Sequence, residues 1–228
     1  MYFTERDGRI WKIDKSGEAK IIQTFPKSGS IEGGTLGLAL HPDFEKNKKI
    51  YVYQTNLELD FFQNKVYSFR VDDNTLIEKQ LIIDDIPGAP WHDGGRIKFG
   101  PDEKLYITTG DAINPGWSQE ISSLAGKILR INSDGTIPED NPFDSSPVFS
   151  YGHRNPQGIA WSNDGMLVSS EHGPSGEMGS GHDEINVIVK GKNYGWPKVV
   201  GDSSDNNFVN PIIHSGASTW APSGMVYY

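Results

Sequence analysis

The feature that most restricts the fold of this chain is a repeat. Apolar or aromatic strand residues run into a Pro-Asp or Asn-Asp turn and then into a second strand, at about 60-residue intervals. The turns are His41-Pro42-Asp43, Gly100-Pro101-Asp102 and Asn163-Asp164-Gly165. The strands that follow them are expected over residues 50–55, 105–110 and 167–171. Residues 1–6 read as a further copy of that second strand, with the first strand of their unit absent. Residues 221–225 read as a turn entering another unit. Repeats of this length, built from short strands, predict an all-β fold of four-stranded propeller blades.

Composition agrees. The 26 glycines, 14 prolines and 11% aromatic residues suit many turns and half-buried strands. No long stretch has helical periodicity, and the nearest helix candidate, residues 119–124, is short. Residues 176–182 and 201–210 read as loops. No linker divides the chain, so residues 1–228 are expected to form one propeller domain of roughly four blades. Because the chain starts and stops within a blade, a larger propeller is expected, with this chain a part of it.

The net charge of −9 argues against nonspecific binding to nucleic acid or an anionic membrane. No apolar run is long enough to span a bilayer. Strand-like sequence begins at Met1, so no signal peptide is read here. With zero cysteines there are no disulfides, thiolate metal sites or cysteine nucleophiles.

Three polar clusters occupy matching places in the repeat. They are His92-Asp93-Gly94-Gly95-Arg96, Gly152-His153-Arg154-Asn155-Pro156-Gln157-Gly158 and Glu171-His172-Gly173-Pro174. Equivalent blade ends face a common centre, so the three are expected to share one site. The first holds an imidazole, the default proton acceptor near neutral pH. No Gly-x-Gly-x-x-Gly turn for a nicotinamide and no Gly-x-Ser-x-Gly nucleophile elbow is present.

Seven segments then resemble, in order, those of the soluble, pyrroloquinoline-quinone (PQQ)-dependent glucose/sorbosone dehydrogenases. They are 33–44 (GGTLGLALHPDF), 92–98 (HDGGRIK), 124–131 (LAGKILRI), 152–158 (GHRNPQG), 171–174 (EHGP), 183–186 (DEIN) and 191–197 (GKNYGWP). The likeness covers nearly the whole chain and is strongest to the aldose sugar dehydrogenase branch.

The resemblance implies a six-bladed propeller that oxidises an aldose at its anomeric carbon to the lactone, with PQQ as hydride acceptor and calcium as an aid. It implies a periplasmic or secreted protein and an electron acceptor that the sequence does not identify. It also implies that the family's first strands and its last third lie outside this chain. His92 matches the family's catalytic base and also a cofactor contact, Asp111 the acid that orients it, and Arg154 the arginine that polarises the quinone carbonyl. Asn155 matches a neighbouring cofactor contact. Gly173 and Pro174 match carbonyls that hold calcium beside the cofactor. Glu184 and the Tyr194 carbonyl match a second, structural calcium site. Glu32 and His172 stand near the cofactor where relatives have glutamine.

Each residue has a plainer reading when taken alone. His92 and Asp111 suit blade turns, Arg154 suits a structural ion pair, and Glu171 and Glu184 suit solvent. The tryptophans, Trp161 and Trp196 among them, suit blade core or rim. Besides the dehydrogenase, a non-catalytic sugar-binding propeller and a calcium-dependent lactonase on a similar propeller remain open.

Overall fold

The computed structural model describes residues 1–175 and 181–228; the loop expected over 176–182 lies largely outside the described residues. The described chain is nearly all β and forms four antiparallel sheets, each with its strands in sequence order. The first sheet holds β1 (Tyr2–Thr4), β2 (Arg9–Ile13) and β3 (Ala19–Thr24). The second holds β4 (Thr35–Leu40), β5 (Lys49–Glu58), β6 (Phe61–Asp72) and β7 (Thr75–Pro87). The third holds β8 (Ile97–Phe99), β9 (Leu105–Thr109), β10 (Lys127–Ile131) and β11 (Val148–Tyr151). The fourth holds β12 (Pro156–Trp161), β13 (Leu167–Glu171), β14 (Glu184–Ile188) and β15 (Ile213–His214). This is a four-blade propeller arrangement, as the repeat predicts.

The three expected second strands are β5, β9 and β13, each second in its sheet. β9 touches β12 of the next sheet, and β5 touches β8 in the same way. β1 touches β4, which puts β1 in the second-strand place of its own sheet. Residues 221–225 have neither a turn nor a strand assignment, and Ala221 has φ of 47°.

Alternation explains how the sheets stack. Successive strand side chains point to opposite faces, and here both faces are buried. On β5, Ile50 and Val52 pack toward the first blade with Ile10, Ile22 and Phe69. Tyr51 and Tyr53 point the other way, against Ile97, Leu105, Ile107 and Leu129 of the third blade. On β9 and β10, Tyr106 and Ile128 turn instead toward Ile159, Leu167 and Ile188 of the fourth. The two β5 tyrosines keep their phenols paired in the core. Tyr51 donates to Ser133 O and Tyr53 to Asp93 O, both over 2.8 Å.

Two short helical turns interrupt this pattern. Asp43 leads into one α-turn, Phe44–Asn47. The candidate helix at 119–124 does not form; a 3₁₀ turn, Pro115–Gln119, precedes it instead. The run ends because Glu120 turns extended, with φ of −90° and ψ of 115°. Lys127 Nζ donates to Trp117 O and Ser118 O, and Gly152 N also donates to Ser118 O.

Candidate functional site

The first strand of each blade begins, and the second ends, at one end of the sheets, and the three polar clusters lie there. Backbone hydrogen bonds tie them together. Ala112 N donates to His92 O, Asp111 N to Arg154 O over 2.7 Å, and Gly126 N to Gly110 O. Gly110 permits this approach: a Cβ there would sit 1.9 Å from His92 O. The backbone is also strained at this place. His92, Ala112 and Ile113 have φ of 64°, 51° and 54°, a region that costs a non-glycine residue energy and collects at functional sites.

His92 is held on three sides. Its backbone N–H donates to Glu32 Oε2 over 2.8 Å. The neighbouring Asp93 is a pin rather than a reactive acid. It accepts from Asn64 Nδ2, Ala89 N and Ser30 Oγ, and burial pushes its pKa up. The imidazole Nδ1 lies 2.7 Å from Asp111 Oδ1. Asp111 is fully buried and also accepts from Ile113 N and Trp196 Nε1. A carboxylate surrounded by N–H donors is an acceptor only, so Nδ1 carries the proton and Nε2 keeps its lone pair.

Arg154 faces the same space. Burial lowers its pKa, against the pull of Asp111, Glu171, Glu32 and Asp183. Its guanidinium makes two long hydrogen bonds, to His172 O at 3.4 Å and Ser175 Oγ at 3.3 Å, and lies over the Trp196 ring. A desolvated cation so weakly engaged among the described residues is suited to an anionic or carbonyl oxygen.

Glu32, His92, Asp111, Arg154 and Pro174 line one cleft of about 490 Å³, with Trp91, Ile113, Pro115 and Trp196 as its apolar walls. This size fits a cofactor-scale ligand. Flat apolar walls and an uncommitted guanidinium fit an aromatic ortho-quinone bearing carboxylates.

Asn155 and His172 are not on that cleft. Both line an adjoining space of about 470 Å³ with Arg6, Arg96 and Gln157. The Asn155 carbonyl is already engaged, accepting from Gly94 N and Gln157 Nε2, both over 3.0 Å. His172 Nε2 lies 2.7 Å from Pro222 O and so donates to it.

Gly173 and Pro174 lie beside a small pocket of about 10 Å³ that Glu171, Glu184 and Tyr194 also line. Burial, and then Glu171, pushes the Glu184 carboxyl up to about 8. Asn186, which donates to Glu184, keeps a buried Oδ1 with no partner among the described residues. Two neighbouring carboxyls and an orphaned carbonyl oxygen fit a hard cation. No cluster of three or more His, Asp or Glu side chains with metal-binding geometry occurs among the described residues, so backbone carbonyls would have to complete the ligand set.

Three supports were not read from the sequence. Trp196 reaches Asp111. Asp183 accepts from Gly173 N and from Thr219 and Ala221, fixing the Gly173-Pro174 segment. Buried Glu171 accepts the backbone N–H of Arg154 and pairs with His153 Nδ1, whose Nε2 meets Ser150 Oγ. The order of the seven segments points to their neighbourhood; nothing in their spacing gives the pairings.

The chain is similar to several known proteins. Quinoprotein glucose dehydrogenase B of Acinetobacter calcoaceticus is 34% identical over 89% of this chain and 50% of its own length. Aldose sugar dehydrogenase YliI of Escherichia coli is 32% identical over 86% of this chain and 55% of its own. The chain thus spans about half the length of these curated relatives. The PQQ-bound aldose sugar dehydrogenase of Streptomyces coelicolor superimposes with a TM-score of 0.89 at 36% identity, over 99% of this chain and 67% of that one. The profile of the Glucose / Sorbosone dehydrogenase family matches residues 1–228, and the chain belongs to that family.

Proposed function

We propose that this chain carries the base and the principal cofactor-facing cation of a PQQ-dependent sugar dehydrogenase, which oxidises an aldose at its anomeric carbon to the lactone. One observation carries the reading. The His92–Asp111 pair opens onto the same cleft as the weakly engaged Arg154 guanidinium.

His92 Nε2 takes the proton of the anomeric hydroxyl, and Asp111 stabilises the imidazolium that results. PQQ, when bound, supplies the acceptor for the hydride that leaves the same carbon. The Arg154 guanidinium, which lines the same cleft, would stabilise negative charge that develops on the quinone. Glu32 keeps the His92 backbone in its left-handed conformation. The apolar walls exclude water and seat a flat ring system. Calcium would be held by the Gly173 and Pro174 carbonyls, and a second ion by Glu184 and the Tyr194 carbonyl. Asn155 and His172 line the adjoining space, and would hold the cofactor only if it extends there.

The test is reconstitution of the longest natural protein that contains this chain. With PQQ and calcium supplied, glucose and other aldoses should reduce an artificial dye and yield lactone. Bound quinone without sugar-dependent dye reduction would leave a non-catalytic binding propeller. Lactone hydrolysis without quinone would favour a hydrolase.

A further inference from the structure

We infer that Trp196 is a positioning residue that sets both the base and the cation of this site, an inference that rests on the reading just given. The indole comes from the segment after β14 of the fourth blade, and Asp111 follows β9 of the third. Its Nε1–H donates to Asp111 Oδ2 over 2.8 Å, across 85 residues of sequence. The other carboxylate oxygen, Oδ1, is shared by His92 Nδ1 and Ile113 N. Among the described residues Trp196 is therefore the one partner of Oδ2. It decides how the carboxylate plane, and with it the imidazole, is turned.

The same ring has a second task. The Arg154 guanidinium carbon lies 5.6 Å from its centroid, in cation–π range. Its hydrogen bonds elsewhere among the described residues are long, so the guanidinium takes its resting place from this face. The indole is itself fixed from behind. Trp196 N donates to Gly152 O, and Trp196 O accepts from Gln119 Nε2 over 2.7 Å. Gln119 and Asn193 also exchange two amide hydrogen bonds. The ring is 5% exposed, so its edge and face both serve protein groups rather than solvent.

The two tasks separate by substitution. Trp196→Phe keeps an aromatic face and removes the N–H. Trp196→Leu removes both. Three quantities decide the matter in the longest natural protein that contains this chain. They are the solvent-exchange rate of the His92 Nδ1 proton by ¹⁵N-edited NMR, the PQQ dissociation constant by equilibrium dialysis, and kcat with glucose. In Trp196→Phe the Nδ1 proton should exchange about tenfold faster and kcat should fall about tenfold, with PQQ affinity within about twofold of wild type. In Trp196→Leu the PQQ dissociation constant should also rise about three- to tenfold.

Unchanged Nδ1 exchange in a folded Trp196→Phe protein overturns the inference, as do equal effects of both substitutions on PQQ affinity. If the wild-type protein does not bind PQQ, the proposed function fails. The exchange measurement, which needs no cofactor, still decides the role of Trp196. Failure of Trp196→Leu to fold leaves the Phe variant to decide it.

Discussion

Asp111 and His92 are joined by a 2.7 Å hydrogen bond whose direction is fixed by the other donors around the carboxylate. The imidazole is thereby a single tautomer, with Nε2 as acceptor. Asp111→Asn keeps the shape but offers the imidazole an amide N–H as readily as a carbonyl, and the tautomer is no longer set. The expected result is a fall in kcat on the order of 10²-fold with PQQ affinity unchanged. Stopped-flow dye reduction and equilibrium dialysis measure the two quantities. A variant within twofold of wild type in rate would show that the tautomer does not matter.

His92→Ala removes the proton acceptor itself. General base catalysis typically contributes about 10²–10⁴-fold, and that loss should appear in sugar-dependent dye reduction. Quinone binding should survive if the imidazole acts, as proposed, on the substrate proton. Loss of quinone binding in a folded variant would move His92 from base to cofactor ligand.

Arg154→Lys is the contrasting case. Lysine keeps the charge but loses the planar fork and the flat stacking on Trp196. If the guanidinium meets the quinone before and during reaction, as proposed, both affinity and rate should fall, each by about tenfold or more. A change in rate alone, with the PQQ dissociation constant preserved, would argue that the cation acts only in the transition state.

The fold was legible because the blade is a local object. The Pro42-Asp43, Pro101-Asp102 and Asn163-Asp164 turns and the strands after them are written within about a dozen residues each. The location of the site was legible for a related reason: equivalent blade ends face one centre, so matching clusters must meet. What stayed hidden is long-range pairing. Nothing local tells that the Trp196 N–H meets Asp111, or that Lys127 spends its ammonium on three carbonyls. Asp93 stands next to His92 in sequence, yet its side chain is turned into the protein against Asn64 and Ala89. The helix expected at 119–124 fails for a local reason: directly after the turn Pro115–Gln119 the backbone becomes extended at Glu120, with ψ of 115°.

Glu184 gives a calcium prediction with a definite sign. Burial and the nearby Glu171 raise its pKa to about 8. Without a cation, the folded chain therefore holds a proton that the unfolded chain releases near its ordinary pKa of 4.5. Stability from this group is complete below about 4.5 and is lost as pH rises toward about 8. A cation competes with that proton, so calcium should bind more tightly at pH 8.5 than at pH 6. At a hundredfold excess over Kd, calcium should raise Tm by about 5–10 °C. In Glu184→Gln that rise should be largely absent, and Tm without calcium should vary less with pH. An equal calcium response in the variant would place the ion elsewhere.

Lys127 gives a pH prediction that needs no ligand. Its side chain is fully buried, and its ammonium donates to Trp117 O, Ser118 O and Ala125 O over 2.8, 3.2 and 2.6 Å. Burial lowers its pKa from 10.5 to about 7, with Glu120 pulling weakly the other way. Between those values the unfolded chain binds the proton that the folded chain has released. Unfolding free energy from this group should therefore rise with pH across that window, by up to about 1.4 kcal/mol per pH unit. Below about 7 both states are charged and the contribution is flat. Lys127→Met should remove the slope. It should also loosen the turn Pro115–Gln119, whose Pro115 walls the cleft, because the Trp117 and Ala125 carbonyls lose their ammonium donor. Urea unfolding at pH 7 and pH 9.5, on wild type and variant, reads the difference directly. Parallel pH dependence in the two proteins would mean that Lys127 keeps its proton in the folded core, with the three carbonyls offsetting its desolvation.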